Sequence, residues 1–128
     1  MSERADLGLR VVGVLAGIGV VLPVGLFALL ALRACPTCDL SQILAGITAA
    51  LIVATIIVGD GQAWGAAVIG LYAVGMGVRY WLAIAGFPYA STSDSAFVAF
   101  HVAIGVVSSV IAVALVRDHA SRSVRAGA

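Results

Sequence analysis

The chain has 128 residues, of which 62% are hydrophobic and 10% are charged, and its formal net charge is +1. Its mean hydropathy is +1.16, and the charged residues lie near the chain ends and between long apolar segments. This balance excludes an ordinary soluble domain and is typical of an integral membrane protein.

Four apolar segments are long enough to cross a bilayer, which requires about 20 apolar residues for a hydrocarbon core about 30 Å thick. We predict spans over 11–32, 40–59, 63–85 and 96–116, followed by a tail over 117–128. The segments lack the alternating pattern of barrel strands, and unpaired backbone groups are costly in lipid, so each span is predicted to be a helix. The fold class is therefore an all-α, integral membrane four-helix bundle that forms a single domain.

The connections between the spans are short, which predicts antiparallel neighbours in an up-down-up-down order. Asp60 and Gly61 have the composition of a tight turn and stand directly between the second and third spans. These two helices are therefore expected to pack side by side.

The basic residues indicate an orientation, because arginine and lysine near span ends favour the cytoplasmic side of a membrane. Five arginines lie at the face of the bundle that carries both termini, whereas the face that carries the first loop has only Arg33, with Arg79 a little below it. We therefore predict that both termini are cytoplasmic, that the protein resides in the plasma membrane, and that loops 33–39 and 86–95 face outward. Five arginines precede the first span or follow the fourth: Arg4, Arg10, Arg117, Arg122 and Arg125.

The first outward loop holds both cysteines, Cys35 and Cys38, in a Cys-x-x-Cys motif. Outside the cytoplasm such a pair can persist as a disulfide. Pro36 can be the first residue of the second helix, with Cys35 as its N-cap. Alternatively, Asp39 can cap this helix, with Gln42 three residues later as in a capping box. Either arrangement places a cysteine near the positive end of a helix, which favours the thiolate.

The motif has four interpretations: a redox-active dithiol, a structural disulfide that ties the loop, an inert reduced pair, and half of a metal site completed by another chain. One Cys-x-x-Cys supplies two of the four ligands that structural zinc prefers, so we predict no metal site within a single chain. In the redox interpretation, one of Cys35 and Cys38 is the catalytic nucleophile and the other is the resolving thiol.

Arg79 and His101 are ionisable residues within the third and fourth spans, where such groups are costly and usually face a bundle interior or a cavity. Counted from the outward ends of their spans, both are expected about 8–9 Å deep. They are therefore candidates to line one outward-opening pocket with Gln42. The alternative for Arg79 is snorkelling beside Tyr80 and Trp81, and the alternative for His101 is a hydrogen bond to a neighbouring helix or to the 86–95 loop.

A four-helix membrane bundle with an outward Cys-x-x-Cys at the entrance of the second helix resembles the DsbB-type membrane thiol:quinone oxidoreductases, and more distantly the vitamin K epoxide reductase family. The resemblance covers the topology and residues 35–42. It implies thiol-disulfide chemistry at the cysteine pair and a quinone as the electron acceptor. In this interpretation the quinone is bound by the candidate pocket residues Gln42, Arg79 and His101.

The sequence departs from the DsbB pattern at two points. Gln42 stands where that pattern has an arginine that helps to bind quinone. The second cysteine pair, which in that family relays oxidation to a soluble partner, is absent, because loop 86–95 contains no cysteine. Under this resemblance, the first pair has to exchange directly with a partner thiol.

Small residues recur at packing intervals along the spans: Gly13 with Gly17, Ala66 with Gly70, and Ala73 with Gly77. This spacing lets helices approach closely, within the bundle or between subunits, and internal packing is the simplest explanation. Four apolar spans with few polar groups also suit a non-catalytic accessory or structural subunit of a larger membrane complex. We expect the lipid bilayer and other membrane subunits or further copies of the chain as partners, and no nucleic acid.

Overall fold

The computed structural model describes residues 3–85 and 92–127. Within these ranges it contains no strand, and each helix is long and apolar enough to cross a membrane. The predicted all-α membrane bundle is therefore confirmed. Its helices are α1 (Glu3–Ala34), α2 (Asp39–Gly59), α3 (Ala63–Ile84) and α4 (Thr92–Gly127).

Helices α1 and α4 are longer than the apolar spans predicted from the sequence, because both continue as polar helix at one end of the bundle. Ion pairs one helical turn apart stabilise these extensions. Arg10 pairs with Asp6 at 2.9 Å, and Arg122 pairs with Asp118 at 3.2 Å. The predicted tail is therefore a helical continuation of α4 as far as Gly127.

Successive helices pack against one another, and α1 also packs against α4, so the four helices form a closed ring. Large apolar side chains such as Leu22 and Leu71 remain 67% and 78% exposed on the outside, where lipid would surround them. The centre is filled by small and branched apolar side chains: Val20, Val24, Leu51, Ala54, Val58, Ala66, Ile69, Ala73, Ile111, Ala112 and Leu115.

The predicted tight turn between α2 and α3 is confirmed. Gly61 has a φ of +85° and donates its N–H to the carbonyl oxygen of Val58 at 2.9 Å. Gln62 donates its N–H to the carbonyl oxygen of Ile57 at 3.1 Å. These two bonds form a Schellman motif, in which a glycine with positive φ ends the helix.

Side chains of α1 and α4 contact this turn between α2 and α3. The turn lies at the end of the bundle that carries Glu3 and Gly127, which we call the termini end. The guanidinium group of Arg10 packs over Gly61, and His119 Nε2 lies 3.0 Å from the Gly61 carbonyl oxygen. The start of α1 and the end of α4 therefore meet the α2–α3 turn, as an up-down-up-down order requires.

The small residues singled out in the sequence face neighbouring helices. A methyl group at Gly17 of α1 would overlap the side chain of Thr55 on α2. A methyl group at Gly70 of α3 would lie 2.8 Å from Ser109 Oγ on α4. These glycines therefore permit close helix packing within the bundle, as the sequence predicts.

Candidate functional site

Cys35 and Cys38 lie in the loop between α1 and α2, opposite the termini end, at what we call the disulfide end. Their sulfur atoms are at disulfide-bonding distance, and their Cα atoms are 5.4 Å apart. Cys38 is exposed, whereas Cys35 is half-buried. An attacking thiol therefore has easier access to the sulfur of Cys38.

The N-cap of α2 is Cys38, with extended φ and ψ of −72° and 142° and no side-chain hydrogen bond to the helix. Asp39 is the first helical residue, so the two caps proposed from the sequence, Cys35 and Asp39, are both wrong. The loop closes through a hydrogen bond from the Cys38 N–H to the Cys35 carbonyl oxygen at 3.3 Å, which leaves Cys35 outside the helix. The prediction that a cysteine stands at the positive end of α2 is nevertheless confirmed.

Ser41 attaches the cysteine loop to the end of α1. Its side chain is buried, and its Oγ lies 2.7 Å from the carbonyl oxygen of Cys35 and 2.9 Å from that of Ala31. The single hydroxyl proton is therefore shared between two carbonyl acceptors that precede α2. Sequence reasoning missed this residue, although a serine in the first turn after a Cys-x-x-Cys is well placed to reach back to that loop.

A cavity of about 440 Å³ lies beneath the cysteine loop, between all four helices. Two of its lining residues also flank the loop: Ala31 accepts the Cys35 N–H at 2.8 Å, and Leu40 follows Cys38 by two positions. Phe27 and Leu40 are 57% and 65% exposed, so the mouth of the cavity faces the lipid side of the bundle. The cavity thus lies beside the helix ends that carry the cysteine loop, although neither cysteine lines it, and it is open to a lipid-soluble ligand.

The walls of the cavity are apolar except for two side chains, Tyr72 of α3 and His101 of α4. His101 is 2% exposed, and its Nδ1 lies 2.9 Å from the carbonyl oxygen of Phe97. Because a carbonyl only accepts, Nδ1 is the donor of this contact, and in the neutral ring Nε2 then has a free lone pair. Within the described residues, neither Nε2 nor the Tyr72 hydroxyl has a hydrogen-bond partner.

Gln42 and Arg79, the other two candidate pocket residues, are exposed and do not line this cavity. Of the three candidates, His101 alone lies there, and it is joined by Tyr72. Sequence reasoning missed Tyr72. The available signal was its position in the middle of a span, since membrane tyrosines concentrate at the interfaces.

Tyr80, next to Arg79, joins α3 to α4 at the disulfide end. Its hydroxyl donates to Asp94 Oδ1 at 2.6 Å, in the first turn of α4. Because α4 begins at Thr92, positions 92–95 of the predicted outward loop are helical. The rest of that loop, 86–91, lies outside the described residues.

A comparison of the chain with family models, curated proteins and solved structures finds no match. The site therefore has to be interpreted from its own geometry. Its components are a disulfide with one exposed cysteine, a mostly apolar cavity beside the helix ends that carry it, and two polar side chains, Tyr72 and His101, inside that cavity.

Proposed function

We propose that this protein is a membrane thiol:quinone oxidoreductase, in which Cys35 and Cys38 exchange electrons with a partner dithiol and a quinone binds in the cavity beneath them. The observation that carries the proposal is that the cavity is lined by residues on both sides of the cysteine loop. Ala31 lies before the loop and Leu40 after it. In this proposal, electrons pass between the cysteine pair and the quinone without a second cysteine pair.

The first half-reaction is thiol-disulfide exchange at Cys38, the more exposed residue of the pair. A partner thiolate attacks Cys38, the bond between Cys35 and Cys38 breaks, and Cys35 leaves as a thiolate. The second thiolate of the partner then attacks the mixed disulfide and releases Cys38. The partner is oxidised to a disulfide, and the cysteine pair is reduced by two electrons. The positive end of α2 stabilises the Cys38 thiolate.

The second half-reaction restores the disulfide. Cys35 and Cys38, which have taken up the two protons that the partner dithiol lost, give up two electrons and two protons as their S–S bond forms, and the quinone takes up both to become a hydroquinone. Tyr72 donates a hydrogen bond to a quinone oxygen, and His101 Nε2 accepts one from a hydroquinone hydroxyl. Both roles require only the polar atoms that line the cavity.

The dimensions and walls of the cavity suit a quinone ring. Its volume of about 440 Å³ lies within the range of about 300–1,000 Å³ typical of small-molecule sites. Phe27 and Phe97 provide aromatic walls, and the mouth faces lipid, where a quinone with an isoprenoid tail is dissolved. Tyr72 can donate a hydrogen bond to an oxygen of the oxidised quinone, whereas His101 Nε2 can accept one only after reduction has given the ring a hydroxyl group.

The proposal includes an orientation, with the disulfide end outside the plasma membrane. It is supported by the arginine bias, since Arg10, Arg117 and Arg122 all lie at the termini end, which would then be cytoplasmic. An external disulfide end gives the cysteine pair an oxidising compartment.

An accessory-subunit role is the alternative that shares this fold. The exposed apolar helix faces fit such a role, but a bilayer accounts for the same faces. A purely structural disulfide explains the closed cysteine loop, but it does not explain why Tyr72 and His101 place polar groups in the cavity. No surface of the described residues favours this alternative specifically.

The proposal is tested by thiol trapping in proteoliposomes. The protein is reduced, the reductant is removed, a short-chain quinone is added, and free thiols are counted with a membrane-impermeant maleimide. We expect the quinone to restore the disulfide with formation of one hydroquinone per pair. A Cys35→Ser/Cys38→Ser variant is the control for background reduction. If the thiols stay reduced with quinone while diamide reoxidises them fully, the proposal is wrong.

A further inference from the structure

A second groove lies between α3 and α4 at the termini end, far along the bundle from the cysteine loop. It has a volume of about 710 Å³, and its floor is formed by small side chains that include Ala63, Ala67 and Ala112. Trp64 and Arg117 stand at its rim, and Trp64 is 56% exposed. The groove is therefore apolar along its length and basic at one end.

The positive charge of Arg117 is not compensated within the described part of the chain. Its neighbour Asp118 is occupied, because it pairs with Arg122 at 3.2 Å. Asp6 is likewise paired with Arg10 at 2.9 Å. Arg117 is exposed and makes no ion pair with any described carboxylate, so its guanidinium group is available to an anion.

The rim lies at the depth where the bundle changes from apolar to polar. Trp64 is the second residue of α3, close to the turn, and tryptophan concentrates at membrane interfaces. Val116 is the last residue of the apolar segment of α4, and Arg117 follows it. His119 donates from Nε2 to the Gly61 carbonyl oxygen at 3.0 Å, which fixes α4 against the turn. Arg117 is therefore held at headgroup level, above an apolar channel.

We propose that this groove binds one anionic phospholipid, with its phosphate at Arg117 and an acyl chain along the alanine floor. The argument is charge complementarity joined to amphipathic shape: an unpaired cation stands at the interface end of the groove, where its other polar lining residues, Gln62 and His119, also lie, and the rest of the lining is apolar. Basic pockets between membrane helices are a known means of recognising anionic headgroups. The inference is independent of the chemistry at the disulfide end.

The test is lipid retention measured by native mass spectrometry. The protein is reconstituted in an equimolar mixture of phosphatidylglycerol and phosphatidylcholine and then extracted into mild detergent. We expect the wild type to retain one phosphatidylglycerol with a preference of about fivefold, the value for one arginine near an anionic surface. Arg117→Gln is expected to abolish the preference. Arg125→Gln, which removes the same charge from the same helix outside the groove, is expected to keep it.

A second variant tests the groove itself. Position 67 is exposed, so Ala67→Leu fills the channel without entering the bundle core, and it should lower the retention of both lipids. Circular dichroism shows whether each variant is folded. Retention of the two lipids in their input ratio by the wild type would overturn the proposal. So would a preference that survives in Arg117→Gln at the level of Arg125→Gln, or Ala67→Leu retaining both lipids like the wild type.

Discussion

His101 Nδ1 lies 2.9 Å from the carbonyl oxygen of Phe97, one turn earlier in the same helix. This contact fixes both the orientation and the tautomer of a buried imidazole ring. The ring of Phe97 packs against it, with 4.1 Å between centroids. The contact engages Nδ1 and leaves Nε2 on the wall of a cavity whose one other polar side chain is Tyr72.

Replacing His101 with leucine removes this acceptor and keeps an apolar side chain of similar size. One lost hydrogen bond of about 1–1.5 kcal/mol predicts that quinone-dependent reoxidation of the cysteine pair slows about tenfold. The measurement is the reoxidation rate after a pulse of short-chain quinone.

The control for His101→Leu is reduction of the disulfide by dithiothreitol in the same variant. That step occurs at Cys38 and does not involve the cavity, so its rate should be unchanged. Equal slowing of both steps would indicate a general disturbance of the bundle and would contradict the assigned role.

The fold was more predictable than the site because hydropathy reports how deep a residue lies, not which face of the helix it occupies. The lengths of the apolar segments predict the four-helix bundle, and the Asp60-Gly61 turn predicts that its second and third helices are antiparallel neighbours. In a membrane bundle both the packed face and the lipid face are apolar, so no amphipathic pattern separates them. The helical rise per residue predicts the same depth for Arg79 and His101, but it does not predict the face on which each side chain lies. Arg79 is exposed and His101 is buried.

The lengths of α1 and α4 exceed the predicted spans for a related reason. Apolar segments mark the part of a helix that lies in lipid, whereas the helix itself continues wherever the backbone can. The Asp6–Arg10 and Asp118–Arg122 pairs support polar turns that hydropathy does not detect.

Ser41→Ala is expected to loosen the cysteine loop. The substitution removes the hydroxyl that lies 2.7 Å from the Cys35 carbonyl oxygen and 2.9 Å from that of Ala31. The expected loss is about 1 kcal/mol of stability, together with faster reduction of the disulfide by dithiothreitol. Ser121→Ala, at an exposed position of α4, is the matched control. Identical reduction rates in the two variants would show that Ser41 does not restrain the loop.

Gly17→Ala is expected to destabilise the contact between α1 and α2. The added methyl group overlaps the side chain of Thr55, and overpacking of this kind costs about 1–3 kcal/mol. Unfolding in mixed detergent micelles measures the effect. Gly46→Ala is the control, because nothing lies within 4 Å of that position, and there we expect a gain of up to about 1 kcal/mol from helix propensity.

The Gly17 prediction includes a rescue. Adding Thr55→Ala removes Oγ1 and Cγ2, two of the three atoms with which the new methyl group collides and among them the nearest, so the double variant should recover most of the lost stability. A double variant as unstable as the sum of the two single variants would show that the helices separate for another reason.

Ser108→Ala is expected to stabilise the bundle. The side chain of Ser108 is fully buried at the inner face of α4, and its Oγ has no hydrogen-bond partner among the described residues. Leaving a buried hydroxyl unsatisfied costs about 1–3 kcal/mol, which alanine avoids at almost the same volume. The neighbouring Ser109 donates to the Gly105 carbonyl oxygen at 2.7 Å, so Ser109→Ala should give no such gain. The measurement compares the unfolding midpoints of the two variants with that of the wild type in the same detergent. A loss of stability in Ser108→Ala would mean that the Ser108 hydroxyl has a hydrogen-bond partner in the membrane.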